Sequence, residues 1–331
     1  MPPWTLIVLG IAILLIVMLD VIWSTLSPTG AGPLANHVTT IGWRTFRALH
    51  HYLQSHRLLK INVIVILLLT SSLWIFLLWT GWLVIFISSE TAVIDEATGE
   101  PAGFADRVYF VSMALFTLGT GDFVAGTPGW RITMSLASLT GLTMITLVIT
   151  YLLPIIGASM DRRQLALGIW GLGDSPESIL KNGWHNDSFN RLEDQLHQLA
   201  LLLTLHAERH LAYPVLQFFH ASDPRADLSP RLANLDDTAT ILEHGIKKGS
   251  RPSTTTLRTL RESIDAYLRR VETFHVTQVE EVPPQPDFED LRQSGIPLRE
   301  IPTIQRAFDE AADRRQLIYK IMRADGWNWG E

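Results

Sequence analysis

Between Phe116 and Phe123 the sequence reads FTLGTGDF. Hydroxyls at Thr117 and Thr120 alternate with glycines at Gly119 and Gly121, and the carboxylate of Asp122 follows. The chemistry open to such a run belongs to the main chain. Glycine permits left-handed and other unusual dihedrals, so successive carbonyls can be aimed the same way. Carbonyl dipoles aligned in that manner replace the water around a cation, and the Thr117 hydroxyl offers one further oxygen.

The flanks of the turn constrain what it can be. Three apolar runs, Trp4 to Trp23, Ile61 to Ser88 and Ile132 to Ile156, each meet the ~20 residues that a helix needs to cross a bilayer. Trp4, Trp23, Trp82 and Trp130 stand near the run ends, where indole rings anchor at the membrane interface. Irregular backbone survives at membrane depth only where protein buries it or where it lines a water-filled path. Ahead of the turn, FADRVYFVSMALF (Phe104 to Phe116) is too short to cross but long enough for a re-entrant helix. Asp106 is expected to cap its N-terminus. Its C-terminal end, negative by the helix dipole, then points at the turn and favours a cation.

Thr117, Leu118, Gly119, Thr120, Gly121 and Asp122 align without a gap with the TVGYGD filter of potassium channels, and YFVSMALF is similar to their pore helix. Residues 61–156 thus resemble the pore domain of the potassium channel superfamily. The resemblance implies an all-α membrane fold, with a re-entrant pore helix and filter between two spans. A closed ring of carbonyls needs four copies, so a homotetramer is expected. The bilayer and monovalent cations are its other partners. No cofactor is expected, only potassium ions in the filter. Gly141 falls at the interval of the family's hinge glycine, although close helix packing is an equal use for it. Thr143, Thr146 and Thr150 share one helical face, which suggests a hydroxyl-lined cavity or bonds back to the helix's own carbonyls. Pro154 is placed to kink the span where a gate would lie.

Three positions depart from the family pattern. Thr120 stands where the family has a bracing Tyr or Phe, Phe116 where threonine is common, and Met113 where some members place a glutamate that pairs with the filter aspartate. A weakly selective or non-selective cation channel is therefore the alternative. A non-conducting, membrane-anchored scaffold or sensor is the alternative of another class.

Charge sets an expected orientation. From Ser24 to Lys60 there are four basic residues (Arg44, Arg47, Arg57, Lys60) and no acid, whereas Glu90 to Trp130 holds six acids and one base, Arg107. The positive-inside rule puts the first segment in the cytoplasm and the second outside. MDRR (Met160 to Arg163) returns the chain to the cytoplasm, so the N-terminus is expected outside the cell membrane. A cleaved signal peptide is the other reading of the first run. It lacks a basic n-region, and its loss would strand the basic segment outside. The lone charge of that run, Asp20, either pairs with an arginine of the following helix or reaches the interface unaided.

The expected organisation is an N-terminal span (1–26), an interfacial helix (37–60), a pore domain (61–157) and a cytosolic helical bundle (158–331), joined through the short link GASMDRRQ. In the bundle, Asp187 or Ser188 is expected to cap a helix that Pro214 kinks or ends. A second helix is ended by Gly249. A third carries a seam of Leu257, Leu260, Ile264, Leu268, Val271 and Phe274, and a last runs from about Thr303 to Ala324. No strand pattern is found.

Other chemistry is largely excluded. The net charge is −6, which gives no basic footprint for nucleic acid. The chain has no cysteine, which removes thiolate metal sites and cysteine nucleophiles. No catalytic triad, carboxylate pair or phosphate loop is present, so an enzyme is not expected. His206 and His210 share a helical face at a spacing that suits a metal or a proton sensor, although two ligands do not close a site. Unliganded histidines are the plainer reading.

Overall fold

The computed structural model describes residues 2–27, 30–53, 56–119, 121–219, 221, 223–271 and 281–330, with side chains for all of these except 43, 44, 46–53 and 56–62. The apolar runs form α1 (Pro3–Leu26), α3 (His56–Ile87) and α5 (Pro128–Leu172), each long and apolar enough to cross a membrane. Between them in sequence lie α2 (Pro33–Leu53) and α4 (Phe104–Leu115). The chain divides into two units, Met1–Gln54 with Ile61–Ile155, and Ser55–Lys60 with Ile156–Glu331.

In the first unit, α1 and α3 approach through glycines. A Cβ on Gly10 would sit 2.7 Å from the Gly81 carbonyl oxygen, and one on Gly81 would sit 2.8 Å from the Leu14 side chain. Small residues let membrane helices come this close. At Gly42 of α2 a Cβ would meet Ile66 of α3 at 2.8 Å.

Asp20, the lone charge of the first run, is held by α2 and α3. It is buried, and its carboxylate accepts the N–H of Leu34 at 2.7 Å, that of Ala35 at 3.3 Å and the indole N–H of Trp74 at 2.8 Å. One turn further along α1, the Ser24 hydroxyl accepts the Gly32 N–H at 2.8 Å. Pro33 has no N–H to satisfy. The amide donors that open α2, ordinarily met by its own cap residue, are therefore met by side chains of α1. The side chains of Arg44 and Arg47 lie outside the described residues. The expected interfacial helix also shifts: α2 begins at Pro33, and His56 to Lys60 already belong to α3.

The second unit is helical: α6 (Pro176–Gly183), α7 (Asn190–Ala212), α8 (Leu228–Thr240), α9 (Thr254–Val271), α10 (Phe288–Gln293), α11 (Ile301–Glu310) and α12 (Ala312–Ala324). Leu257, Leu260, Ile264, Leu268 and Val271 form the buried face of α9, in one core with Leu196 and Leu203 of α7 and Leu232 and Leu235 of α8. Phe274 lies outside the described residues. Several expected boundaries move. Asp187 takes φ 58° in a turn closed by mutual His185 and Ser188 amide bonds, so α7 starts after Phe189 without a side-chain cap. A π-turn, Ile241–Gly245, carries α8 onward and ends at Gly245 rather than at Gly249. The last helix is two, separated at Ala311. The link GASMDRRQ is helical, inside α5, and so is Pro154.

Arg162 and Arg315 each anchor a buried guanidinium cluster in this unit. Arg162 is buried with Asp227 and Asp325, each 3.4 Å from its Nη2, and its Nη1 donates to the Phe219 carbonyl. Arg315 is buried against Asp237, with Nε to Oδ1 at 2.9 Å and Nη2 to Oδ2 at 3.1 Å. It also donates to the carbonyls of Pro283 and Pro284, at 2.9 and 2.6 Å.

Candidate functional site

The glycine turn follows α4, and the surroundings of α4 fix where the turn can be. Gly103 is the N-cap of this helix. Asp106, expected to be the cap, instead stands three residues in and accepts the Gly103 N–H at 3.1 Å. Arg107 is buried and spends its donors on main chain: the carbonyls of Ala102 at 2.9 Å, Phe86 and Ser89 at 2.6 Å, and Glu90 at 3.2 Å. The carbonyls that close a helix lack amide partners within it, and Arg107 supplies them for the end of α3. Phe86 packs edge-on against Phe110 of α4 at 5.2 Å.

Further along, two hydroxyls join α4 to its neighbours and a third joins α3 to α5. The Trp79 indole of α3 donates to Ser112 at 3.0 Å, and the Ser138 hydroxyl of α5 donates to the Ala114 carbonyl at 2.8 Å. Trp82 of α3 donates to Thr140 of α5 at 2.8 Å. Trp82 is buried, so it ties two helices together rather than anchoring at an interface. Gly141 packs against the end of α4, where a Cβ would lie 2.2 Å from the Leu115 carbonyl oxygen. Close approach is thus the use this structure makes of Gly141.

The turn leaves α4 through an amide bond from Leu118 to the Met113 carbonyl at 3.1 Å. Thr117 and Gly119 take left-handed φ angles, 57° and 55°. The Thr117 hydroxyl donates to the Phe116 carbonyl at 2.8 Å. Thr120 lies outside the described residues. On the far side, the Asp122 carbonyl accepts the Glu96 N–H at 3.0 Å. A short antiparallel pair follows, β1 (Ile94–Asp95) with β2 (Phe123–Val124), a feature the sequence pattern did not announce. The Asp122 carboxylate has no partner among the described residues. Beyond its chain neighbours, a Cβ on Gly119 or Gly121 would meet no described atom within 4 Å, and Leu118 is 66% exposed. Among the described residues of one chain, the turn is braced from α4 and β2 and is otherwise open.

Thr143, Thr146 and Thr150 donate to the carbonyls of Leu139, Leu142 and Thr146. All three stay accessible on one face of α5. His206 and His210 are buried, with ring centres 4.9 Å apart and both stacked on Tyr267. Burial, and then the Arg162 charge, hold the His206 imidazole down to about 3, far from a neutral-range sensor. No group of three metal-ligating side chains exists among the described residues.

The sequence assigns Arg107, Trp79 and Ser138 no role at the site, and Trp82 only that of an interfacial anchor. The only available signal was Arg107, the single base in an acidic stretch.

An all-α membrane fold with a half-length helix and glycine turn between two spans defines an ion channel domain. Residues 63–157 match the family model described as "Ion channel". Over 324 residues the chain is 31% identical to the uncharacterized membrane protein YdjJ of Bacillus subtilis (strain 168), covering 98% of this chain and 94% of that protein. The chain belongs to the same family as that membrane protein, and its central domain is an ion channel domain of the pore-loop type. No solved structure matches it significantly.

Proposed function

We propose that the chain forms a homotetrameric cation channel that conducts potassium through the carbonyls of Thr117 to Gly121. The observation that carries this reading is the exit from α4. The negative end of the helix dipole and a turn with left-handed φ at Thr117 and Gly119 meet at one place, braced by α3 and α5. The turn is open within one chain, as a quarter of a ring would be. The acidic segment that holds Glu90, Asp95, Glu96 and Glu100 raises the local cation concentration outside, and the second unit lies in the cytosol, where it assembles or gates the pore. Thr120 in place of an aromatic brace favours a second reading within the same class, a weakly selective cation channel. The reversal potential of the reconstituted protein under a potassium/sodium gradient separates the two. Liposomes that show no cation flux at all would return the chain to the scaffold class.

A further inference from the structure

Asp20, Trp74 and Tyr151 form an unbroken line of contacts across three helices of the first unit. Asp20 on α1 holds the first turn of α2 and the Trp74 indole N–H of α3, at 2.7 to 3.3 Å. The Trp74 ring is fully buried and meets Tyr151 of α5 edge-on, with centres 5.1 Å apart at 71°. Tyr151 lies one turn before Pro154, inside α5. Proline has no N–H, so the Thr150 carbonyl loses its helical partner there, and α5 bends most easily at this turn.

Capping α2 alone would need only a neutral Ser, Thr or Asn. A carboxylate buried at membrane depth is expensive and is usually kept for function. Here its oxygens bring together donors from two helices, and one donor belongs to the ring that holds the weakest turn of α5. We propose that Asp20, Trp74 and Tyr151 are a latch that sets the α5 turn at Pro154 and, through it, the ratio of open to closed pores. Asp20 and Trp74 act as positioning residues that touch no ion. The proposal rests on the channel reading above.

Single-channel recording of the full chain in planar bilayers tests it. Trp74→Phe keeps a ring against Tyr151 and deletes the N–H. Tyr151→Leu deletes the ring contact and leaves the Asp20 cap intact. Both variants, and Asp20→Asn, should shift the open-to-closed ratio by about tenfold in one direction, the scale of a hydrogen bond to a charged group. Unitary current and reversal potential should stay at wild-type values, which a general loosening of the pore would not allow. Trp74→Phe should add little on top of Asp20→Asn, because both act on one bond. Ratios within twofold of wild type for Trp74→Phe and Tyr151→Leu, or fully additive effects, overturn the latch. Should Asp20→Asn fail to assemble, Tyr151→Leu decides alone. A wild-type chain that carries no current sinks the channel reading and the latch with it, whereas a conducting wild type with unaltered variants sinks only the latch.

Discussion

Gly141 and the Leu115 carbonyl oxygen stand so close that a Cβ on the glycine would lie 2.2 Å from that oxygen. The end of α4 therefore rests on the bare backbone of α5. Gly141→Ala must push the two apart, at a cost of about 1–3 kcal/mol for overpacking, and the displacement falls directly on the turn that follows α4. We expect at least a tenfold loss of cation flux in liposomes. Gly129→Ala, on the same helix with no atom within 4 Å of its Cβ, should conduct normally. Normal flux in Gly141→Ala would show that the turn tolerates movement of its support.

Gly119 takes φ 55° with open space around it. Alanine there meets no clash, only the ~1 kcal/mol penalty of a left-handed residue. Assembly should survive in Gly119→Ala while conduction is lost, because the relaxed backbone turns a carbonyl away from its neighbours. Size-exclusion profiles and flux measured on the same preparation check both halves. Full conduction would remove Gly119 from the ion path.

Arg162 is the cation between two buried carboxylates, Asp227 and Asp325. Arg162→Met leaves both charges without it, a change that typically costs about 3–5 kcal/mol. Arg163, the next residue, is exposed, and Arg163→Met should be close to neutral. Chemical denaturation of the full chain in detergent, followed by the loss of helical signal, compares the pair. Equal midpoints would mean that the cluster is not a stability element.

The proton affinity of His206 makes a prediction about pH. Folding lowers it from 6.5 to about 3, so the folded chain keeps His206 neutral where the unfolded chain binds a proton. Its contribution to stability is complete above the unfolded value. It declines as pH falls below 6.5, by about 1.4 kcal/mol per pH unit, because protons then favour the unfolded state. His206→Phe should flatten that decline between pH 7 and pH 5, measured as the difference between variant and wild-type unfolding curves. Parallel curves would show that His206 accepts a proton within the fold.

What could be read from the sequence was what repeats or sits within a few residues. Unbroken apolar runs announced α1, α3 and α5, a half-length apolar segment announced α4, and the three- and four-residue steps from Leu257 to Val271 announced the buried face of α9. The glycine turn was legible because its residue types are local. Partners far apart in the chain leave no such period. Asp20 and Trp74, Arg107 and Phe86, and Arg162 and Asp325 are joined only by the fold. Cap positions slipped for a related reason. Asp106 and Asp187 are ordinary cap residues, yet neither is the cap: Asp106 reaches back from inside α4, and Asp187 is taken up by a tight turn. Pro154 was legible as a residue of the third span, but not that the helix runs on past it to Leu172.

The capping of α2 by α1 also has a consequence for how the chain is made. Synthesis runs from the N-terminus, so Asp20 and Ser24 leave the ribosome before Gly32, Leu34 and Ala35, whose amides they accept. When α2 emerges, its acceptors already stand on a helix apolar enough to have entered the bilayer. The acceptors at the start of α2 are thus made before the amides they receive, and Trp74, made later still, supplies the last donor to the Asp20 carboxylate.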